Sequence, residues 1–273
     1  MMENNTEKPF RIMVIGGTLD SHQIIDELLN KKIEVIATVA TTYGESLLQE
    51  KPGLRVFHGR MDGEQMEEFI TVNGINCTVD ASHPFAANVS INAIQASSNV
   101  GIPYVRFERE SHAAEYSDVL MADSSEEAAV IAAGFDGNIF LTTGSNNLED
   151  FVKNIADFRV RLFVRVLPMS SVIQKCEKLG LSADNIIAMK GPFSKELNKE
   201  MMRQCKAAIM VTKESGDAGG VSEKLLSARE LGITTVMIKR PKIQYENLFN
   251  SIAGMIEYVY ELSRVYIKIG GQL

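Results

Sequence analysis

Short runs rich in valine and isoleucine alternate with amphipathic helical stretches along nearly the whole chain. A strand-helix-strand rhythm of this kind builds β-α-β units, which put the strands in a parallel sheet and the helices on its faces. The expected strands are 10–15, 33–39, 54–58, 76–80 and 103–107, then 118–122, 138–142, 160–166, 185–189, 207–212 and 234–239. Helices are expected near 20–30, 63–72 and 84–99, then near 124–133, 146–156, 170–179, 194–205 and 219–231. A less regular acidic stretch, Glu108 to Tyr116, interrupts the rhythm. The expected division is therefore 1–110, a Rossmann-like cofactor-binding domain, and 111–273, a second Rossmann-like domain that completes the cleft. A final helix near 246–263 is expected to pack back across the junction. The fold class that follows is α/β, with two Rossmann-like lobes whose parallel sheets face each other across a cofactor cleft. In such folds ligands bind beyond the carboxyl ends of the strands.

Composition narrows the class further. At 273 residues, with 45% hydrophobic and 23% charged, the chain can bury one large core or two of ordinary size. No run approaches the ~18 apolar residues of a membrane span. The start, Met-Met-Glu-Asn-Asn-Thr-Glu-Lys, lacks the apolar core of a secretory signal, so the expected location is cytoplasmic, without membrane attachment. Cys77, Cys176 and Cys205 match no metal-ligand spacing, and no metal is expected. The net charge of −7 argues against a nucleic-acid partner, while local basic patches can still capture an acidic ligand.

The first strand runs straight into Gly16-Gly17-Thr18-Leu19-Asp20-Ser21, and Ile24, Ile25, Leu28 and Leu29 then share one helix face. Glycines let backbone approach a ligand closely, and a helix N-terminus turns unpaired N–H groups and a positive dipole end toward an anion. The turn lacks a full G-x-G-x-x-G fingerprint. Four further polar clusters fall at strand ends. The first crowds Asp80, Ser82, His83, Asn88 and Ser90 together, with Pro84 expected to open the next helix. Its simpler reading is a cap by Ser82 or Asp80, with His83 exposed in the turn. The second is Thr142-Thr143-Gly144-Ser145. The third, Met189-Lys190-Gly191-Pro192-Phe193-Ser194, offers Ser194 as a cap. The fourth, Thr212-Lys213-Glu214-Ser215-Gly216 and on to Lys224, is a glycine-rich loop able to wrap a phosphate or carboxylate, with Lys213 at its start and Lys224 on the helix that follows.

These residues resemble the precorrin-6A reductases of cobalamin biosynthesis, known as CobK or CbiJ. The resemblance spans nearly the whole chain. It rests on Gly16-Gly17-Thr18 with Asp20, Val79-Asp80-Ala81-Ser82-His83-Pro84-Phe85-Ala86, Ile102-Pro103-Tyr104-Val105-Arg106-Phe107-Glu108-Arg109 and Thr142-Thr143-Gly144. It continues through Gly191-Pro192-Phe193-Ser194 with Glu196, Thr212-Lys213-Glu214-Ser215-Gly216 and Ala228-Arg229-Glu230-Leu231-Gly232-Ile233. One departure is Asn146, where many members carry a basic residue.

The resemblance implies NAD(P)H-dependent reduction of one carbon–carbon double bond in a ring-contracted corrin precursor, cobalt-containing or metal-free. A likeness to the anaerobic-branch sequences favours the cobalt form. The cofactor contacts expected are Gly16, Gly17, Thr18, Asp20, Ser21, Thr41, Asp80, Ser82, Thr143 and Gly144. Strand two ends in Val39-Ala40-Thr41-Thr42-Tyr43-Gly44, without an acid to hold a ribose 2′-hydroxyl, which favours NADPH over NADH. Cations expected to hold substrate carboxylates are Arg106, Arg109, Lys190 and Lys213, with Ser194, Ser215 and Gly216 beside them. His83 is the candidate proton donor or hydrogen-bond partner of the macrocycle. The partner expected is a carboxylate-rich corrin precursor, with transient contacts to neighbouring pathway enzymes as an additional option. The alternatives are another NAD(P)-linked reductase of an acidic substrate and a non-catalytic dinucleotide-binding sensor.

Overall fold

The computed structural model describes residues 9–40, 48, 51–110, 118–216 and 220–268. Met1–Glu110 and Lys242–Leu273 form one compact unit and Ser111–Pro241 another. The expected C-terminal domain of 111–273 therefore needs correction, because the chain from Lys242 onward belongs to the first unit.

In the first unit six strands lie parallel: β1 (Arg11–Ile15), β2 (Glu34–Val39), β3 (Leu54–His58), β4 (Cys77–Asp80), β5 (Tyr104–Phe107) and β12 (Leu248–Phe249). Their order across the sheet is β12-β5-β4-β1-β2-β3. The chain moves one way from β1 to β3 and the other way from β4, so the strand order reverses between β1 and β4. Alternate residues of the strands feed two cores. Ile12, Val14, Val35, Val79 and Val105 pack with Ile24, Ile25 and Leu28 of helix Leu19–Asn30 and with Met255, Ile256 and Val259 of helix Ile252–Lys268. On the other face Met13, Ile15 and Ile36 meet Met66 and Ile70 of helix Gly63–Asn73 and Ala93 and Ala96 of helix Ala87–Val100. Both faces are apolar because both are covered, the usual state of a parallel sheet.

The second unit repeats the plan. Strands β6 (Val119–Ala122), β7 (Asn138–Leu141), β8 (Leu162–Val166), β9 (Ile186–Ala188), β10 (Ala207–Lys213) and β11 (Thr234–Ile238) are parallel in the order β6-β11-β10-β7-β8-β9. Here the reversal lies between β7 and β10. Phe140, Met210 and Met237 on one face pack under helices Lys195–Gln204 and Val221–Glu230, which supply Met201, Met202, Val221, Leu225 and Ala228.

Three expected elements differ. The helix expected to open at Pro84 begins at Ala87, because residues 83–86 close a turn in which the Ala86 N–H donates to the His83 carbonyl at 2.8 Å. The helix expected over 146–156 is the shorter Leu148–Asn154, and a one-turn helix, Phe158–Arg161, leads into β8. The final helix starts at Ile252, after the chain has added β12 to the edge of the first sheet.

Candidate active site

The turn after β1 is held by its own side chains. The Thr18 hydroxyl accepts from the Ser21 N–H at 3.1 Å and donates to the Ala81 carbonyl at 2.9 Å, so it caps helix Leu19–Asn30 and ties this turn to the one after β4. The buried Ser21 hydroxyl faces inward, donating to the Thr18 carbonyl and accepting from the Gly17 and Thr18 amides at 3.2 Å. Gly17 sits at φ +108°, where a side chain is strained, and a Cβ there would meet nothing within 4 Å. A Cβ on Gly16 would come within 3.2 Å of the Ser21 hydroxyl. The first helical amides, Leu19 and Asp20, have no intrahelical acceptor by the nature of a helix start. An open backbone cradle with free donors fits the anionic part of a dinucleotide. Asp20, which would oppose such an anion, is held by Arg109 through contacts of 2.5 and 3.1 Å. The structure thus brings Gly16, Gly17, Thr18, Asp20 and Arg109 together, but pairs Arg109 with Asp20 within the same unit. Thr41 lies outside the described residues.

The turn after β4 rests on a buried polar hub. In register on neighbouring strands, Asp80 and Arg106 form an ion pair at 2.9 Å with both side chains fully enclosed. The Asp80 carboxylate also accepts from the Ser82 N–H at 2.9 Å, the Ser90 hydroxyl at 2.6 Å and the Tyr104 hydroxyl at 2.7 Å. Arg106 donates in turn to Ser82 Oγ at 3.2 Å and Glu108 at 2.9 Å, and its guanidinium lies 5.5 Å from the Tyr245 ring centre. Burial alone would lower the Arg106 pKa, yet the net shift is upward because the Asp80 carboxylate and then Tyr245 and Glu108 hold the charge in place. Burial and the same carboxylate drive the Tyr104 phenol far above its ordinary range.

Two corrections follow. Arg106 is no surface cation for a substrate carboxylate, because every face of its guanidinium is enclosed and its acids are supplied from within. Asp80 and Ser82 make no exposed cofactor contact, because both side chains are spent on this hub, and neither caps helix Ala87–Val100, which has no side-chain cap. What the hub does is hold the backbone from Ala81 onward, and that loop presents His83 to solvent. His83 Nδ1 accepts from the Phe85 N–H at 3.2 Å, which leaves the proton of a neutral ring on Nε2.

In the second unit the strand ends at the reversal carry Thr143, Gly144, Lys213, Ser215 and Gly216. The Thr142 hydroxyl donates to the Val211 carbonyl at 3.0 Å and joins β7 to β10. Gly144 takes a positive φ of 76°, and Gly216 one of 70°. Burial lowers the Lys213 pKa. Buried Glu214 is bound by Arg240, which donates to its carbonyl at 3.1 Å and fixes this loop to the chain beyond β11. Ser194 caps helix Lys195–Gln204, accepting from the Leu197 N–H at 3.2 Å, and is exposed. Lys190 is exposed beside it in sequence.

Two cations in this unit are buried, of which Lys224 belongs to the expected glycine-rich cluster and Arg165 does not. Arg165, at 7% exposure, donates to Asn198 Oδ1 at 2.6 Å and lies 3.9 Å from the Phe193 ring centre. Lys224, at 5% exposure, sits on helix Val221–Glu230. Burial brings the Arg165 pKa down to about 10. Burial, reinforced by repulsion from Arg165 and opposed by Glu223, brings Lys224 down to about 7. The signal available for Arg165 was a charge inside the apolar strand Leu-Phe-Val-Arg-Val.

Residues 11–260 match the family described as precorrin-6x reductase CbiJ/CobK. The chain is 39% identical over 254 residues to a cobalt-precorrin-6A reductase of Priestia megaterium, covering 93% of this chain and 99% of that protein. It is 35% identical over 259 residues to a cobalt-precorrin-6A reductase of Methanothermobacter thermautotrophicus, covering 93% and 84%. The fold is similar to the solved structure of a CobK precorrin-6A reductase, with a TM-score of 0.73 at 23% identity, over 92% of this chain and 96% of that one. With both sheets, the glycine turn and the strand-end loops inside the matched span, the chain belongs to the precorrin-6x reductase family, CbiJ/CobK, and is an oxidoreductase acting on a CH–CH group.

Proposed function

We propose that this enzyme reduces cobalt-precorrin-6A to cobalt-precorrin-6B with NADPH. The observation that carries the reading is the 39% identity to a cobalt-precorrin-6A reductase across 93% of the chain. The choice of the cobalt form follows the names of the two relatives above. The choice of NADPH is supported by the end of β2, where Val39 and Ala40 lead into Thr41-Thr42-Tyr43-Gly44 without an acid for a ribose 2′-hydroxyl. Among the described residues no helix is long and apolar enough to cross a membrane. The reading places the enzyme in the cytoplasm, with a carboxylate-rich substrate.

When bound, the nicotinamide supplies the hydride, and the protein's share is positioning and the exclusion of water. Gly16, Gly17, Thr18 and the helix amides that follow hold the cofactor's anionic part. The Asp80–Arg106 hub and the Thr18–Ala81 hydrogen bond hold the loop bearing His83, which as the imidazolium is the proton source for the reduced carbon and is left as the neutral ring. Lys213, with Ser215 and Gly216, receives a substrate carboxylate.

The test is anaerobic absorbance at 340 nm with NADPH or NADH and enzymatically prepared cobalt-precorrin-6A or its metal-free form. Loss of absorbance that requires substrate, with a product two hydrogens heavier, is the expected result. Tight cofactor binding without consumption on either substrate would refute it.

A further inference from the structure

Sheet register draws a polar row across the second unit at its strand reversal. Val211 pairs with Leu141, and Leu141 with Val164. One residue further on, Thr212, Thr142 and Arg165 therefore stand side by side on β10, β7 and β8, on the face covered by helices Lys195–Gln204 and Val221–Glu230. Arg165 makes that facing explicit through Asn198 of the first helix, and Lys224, buried on the second, lies near enough to feel the charge of Arg165. The row crosses β7 and β10 at their carboxyl ends, which is where open α/β sheets take their ligands.

The charge in this cluster is unbalanced. Arg165 makes one hydrogen bond to an uncharged amide, one long contact, 3.7 Å, to the Met201 sulfur, and ring contacts with Phe193 and Phe140, but no ion pair among the described residues. Lys224 has no hydrogen-bond or ion-pair partner among the described residues. The Thr212 hydroxyl is fully buried with no partner, and the Thr143 hydroxyl at the end of β7 is likewise unpaired. Buried cations are ordinarily paired, and buried hydroxyls ordinarily bonded, because the unmatched group forfeits its hydration. The charged groups acting on Lys224 are Arg165 and Glu223 of its own helix. On the adjacent helix Lys195 and Lys199 are taken up by Glu230, and Lys213 ends β10. Two cations, the unsatisfied Thr212 hydroxyl and a sheet reversal point to one requirement, a negative group with oxygen acceptors.

We propose that Arg165 and Lys224 form a buried anion subsite at the β7/β10 reversal, with the Thr212 hydroxyl as a further donor, which takes one carboxylate or phosphate group. Only the identity of the natural ligand rests on the reductase reading. A substrate carboxylate and a cofactor phosphate share this chemistry.

The subsite is tested by calorimetric titration of the full-length protein at pH 8, in two buffers of different ionisation enthalpy, with pyrophosphate, citrate and NADPH as separate titrants. An anion beside Lys224 restores its charge, so binding draws protons from the buffer, approaching one per site, and K224M loses that uptake together with about tenfold or more in affinity. Uptake with pyrophosphate and NADPH alone identifies a phosphate subsite, and uptake with citrate alone a carboxylate subsite. The wild-type uptake needs no variant, so a K224M protein that fails to fold leaves the test intact. No uptake with any titrant overturns the proposal, as does a folded K224M that keeps both affinity and uptake. Failure of the reductase reading would appear instead as absent NADPH oxidation, with the pyrophosphate and citrate results unaffected.

Discussion

Asp80 and Arg106 stand side by side on adjacent parallel strands and meet at 2.9 Å with neither side chain exposed. A pair of this kind is costly to break from one side, because the survivor keeps its burial and loses its counter-charge. Replacing Arg106 with methionine leaves the Asp80 carboxylate enclosed with three neutral donors. R106M is expected to lose about 3–5 kcal/mol of unfolding free energy in urea. The double variant D80N/R106M should recover part of that loss, because both charges leave together.

The Thr18 hydroxyl does two things at once, capping a helix and bridging two loops. T18V is expected to cost about 1 kcal/mol of stability, the usual worth of an N-cap. Its KM for NADPH should rise more than kcat falls, since the bridge positions the cradle and performs no chemistry. Steady-state kinetics with varied NADPH reads that split.

His83 is exposed, and its ring meets the protein through Phe85. H83A is therefore expected to leave the melting temperature within about 2 °C of the wild type, since a surface change away from packing moves stability little. A general acid contributes roughly 100-fold or more, so kcat should fall by about that factor if His83 delivers the proton. An unchanged kcat would assign the proton to water.

Lys224 carries a pH dependence whose sign is fixed by its burial. Its folded pKa of about 7 lies below the ordinary 10.5, so between these values the unfolded chain binds the additional proton. Stability from this group rises with pH across that window, by up to about 1.4 kcal/mol per unit, and falls as pH drops toward 7. The difference between wild type and K224M in urea unfolding should therefore grow more favourable to the wild type from pH 7.5 to pH 9. A difference independent of pH would show that Lys224 is charged throughout.

The sheets were legible because buried parallel strands leave valine- and isoleucine-rich runs, and Gly74 and Gly101 stop their helices in the left-handed conformation that glycine tolerates. β12 was not, since two residues, Leu248 and Phe249, carry no periodicity, and their strand exists only because β5 offers an unpaired edge. The strand-end loops were found by their small polar residues, but the direction of a side chain depends on register. Arg106 reads like a ligand cation until the β4–β5 pairing sets it beside Asp80. Lys224 is visible in the sequence as the second lysine of the glycine-rich loop, but its burial is not, because that depends on the packing of Val221 and Leu225, which turns its side of the helix inward.

The return of the chain to its first unit has a consequence for biosynthesis. β5 gains its outer neighbour, and Phe10 its edge contact with Tyr266 at 5.3 Å, only from residues made after the entire second unit. A nascent chain halted at residue 110 has the glycine cradle and the Asp80–Arg106 pair in its sequence, but an open strand edge and an apolar face uncovered where helix Ile252–Lys268 packs beside helix Leu19–Asn30. On the ribosome the unit begun first is therefore the one finished last.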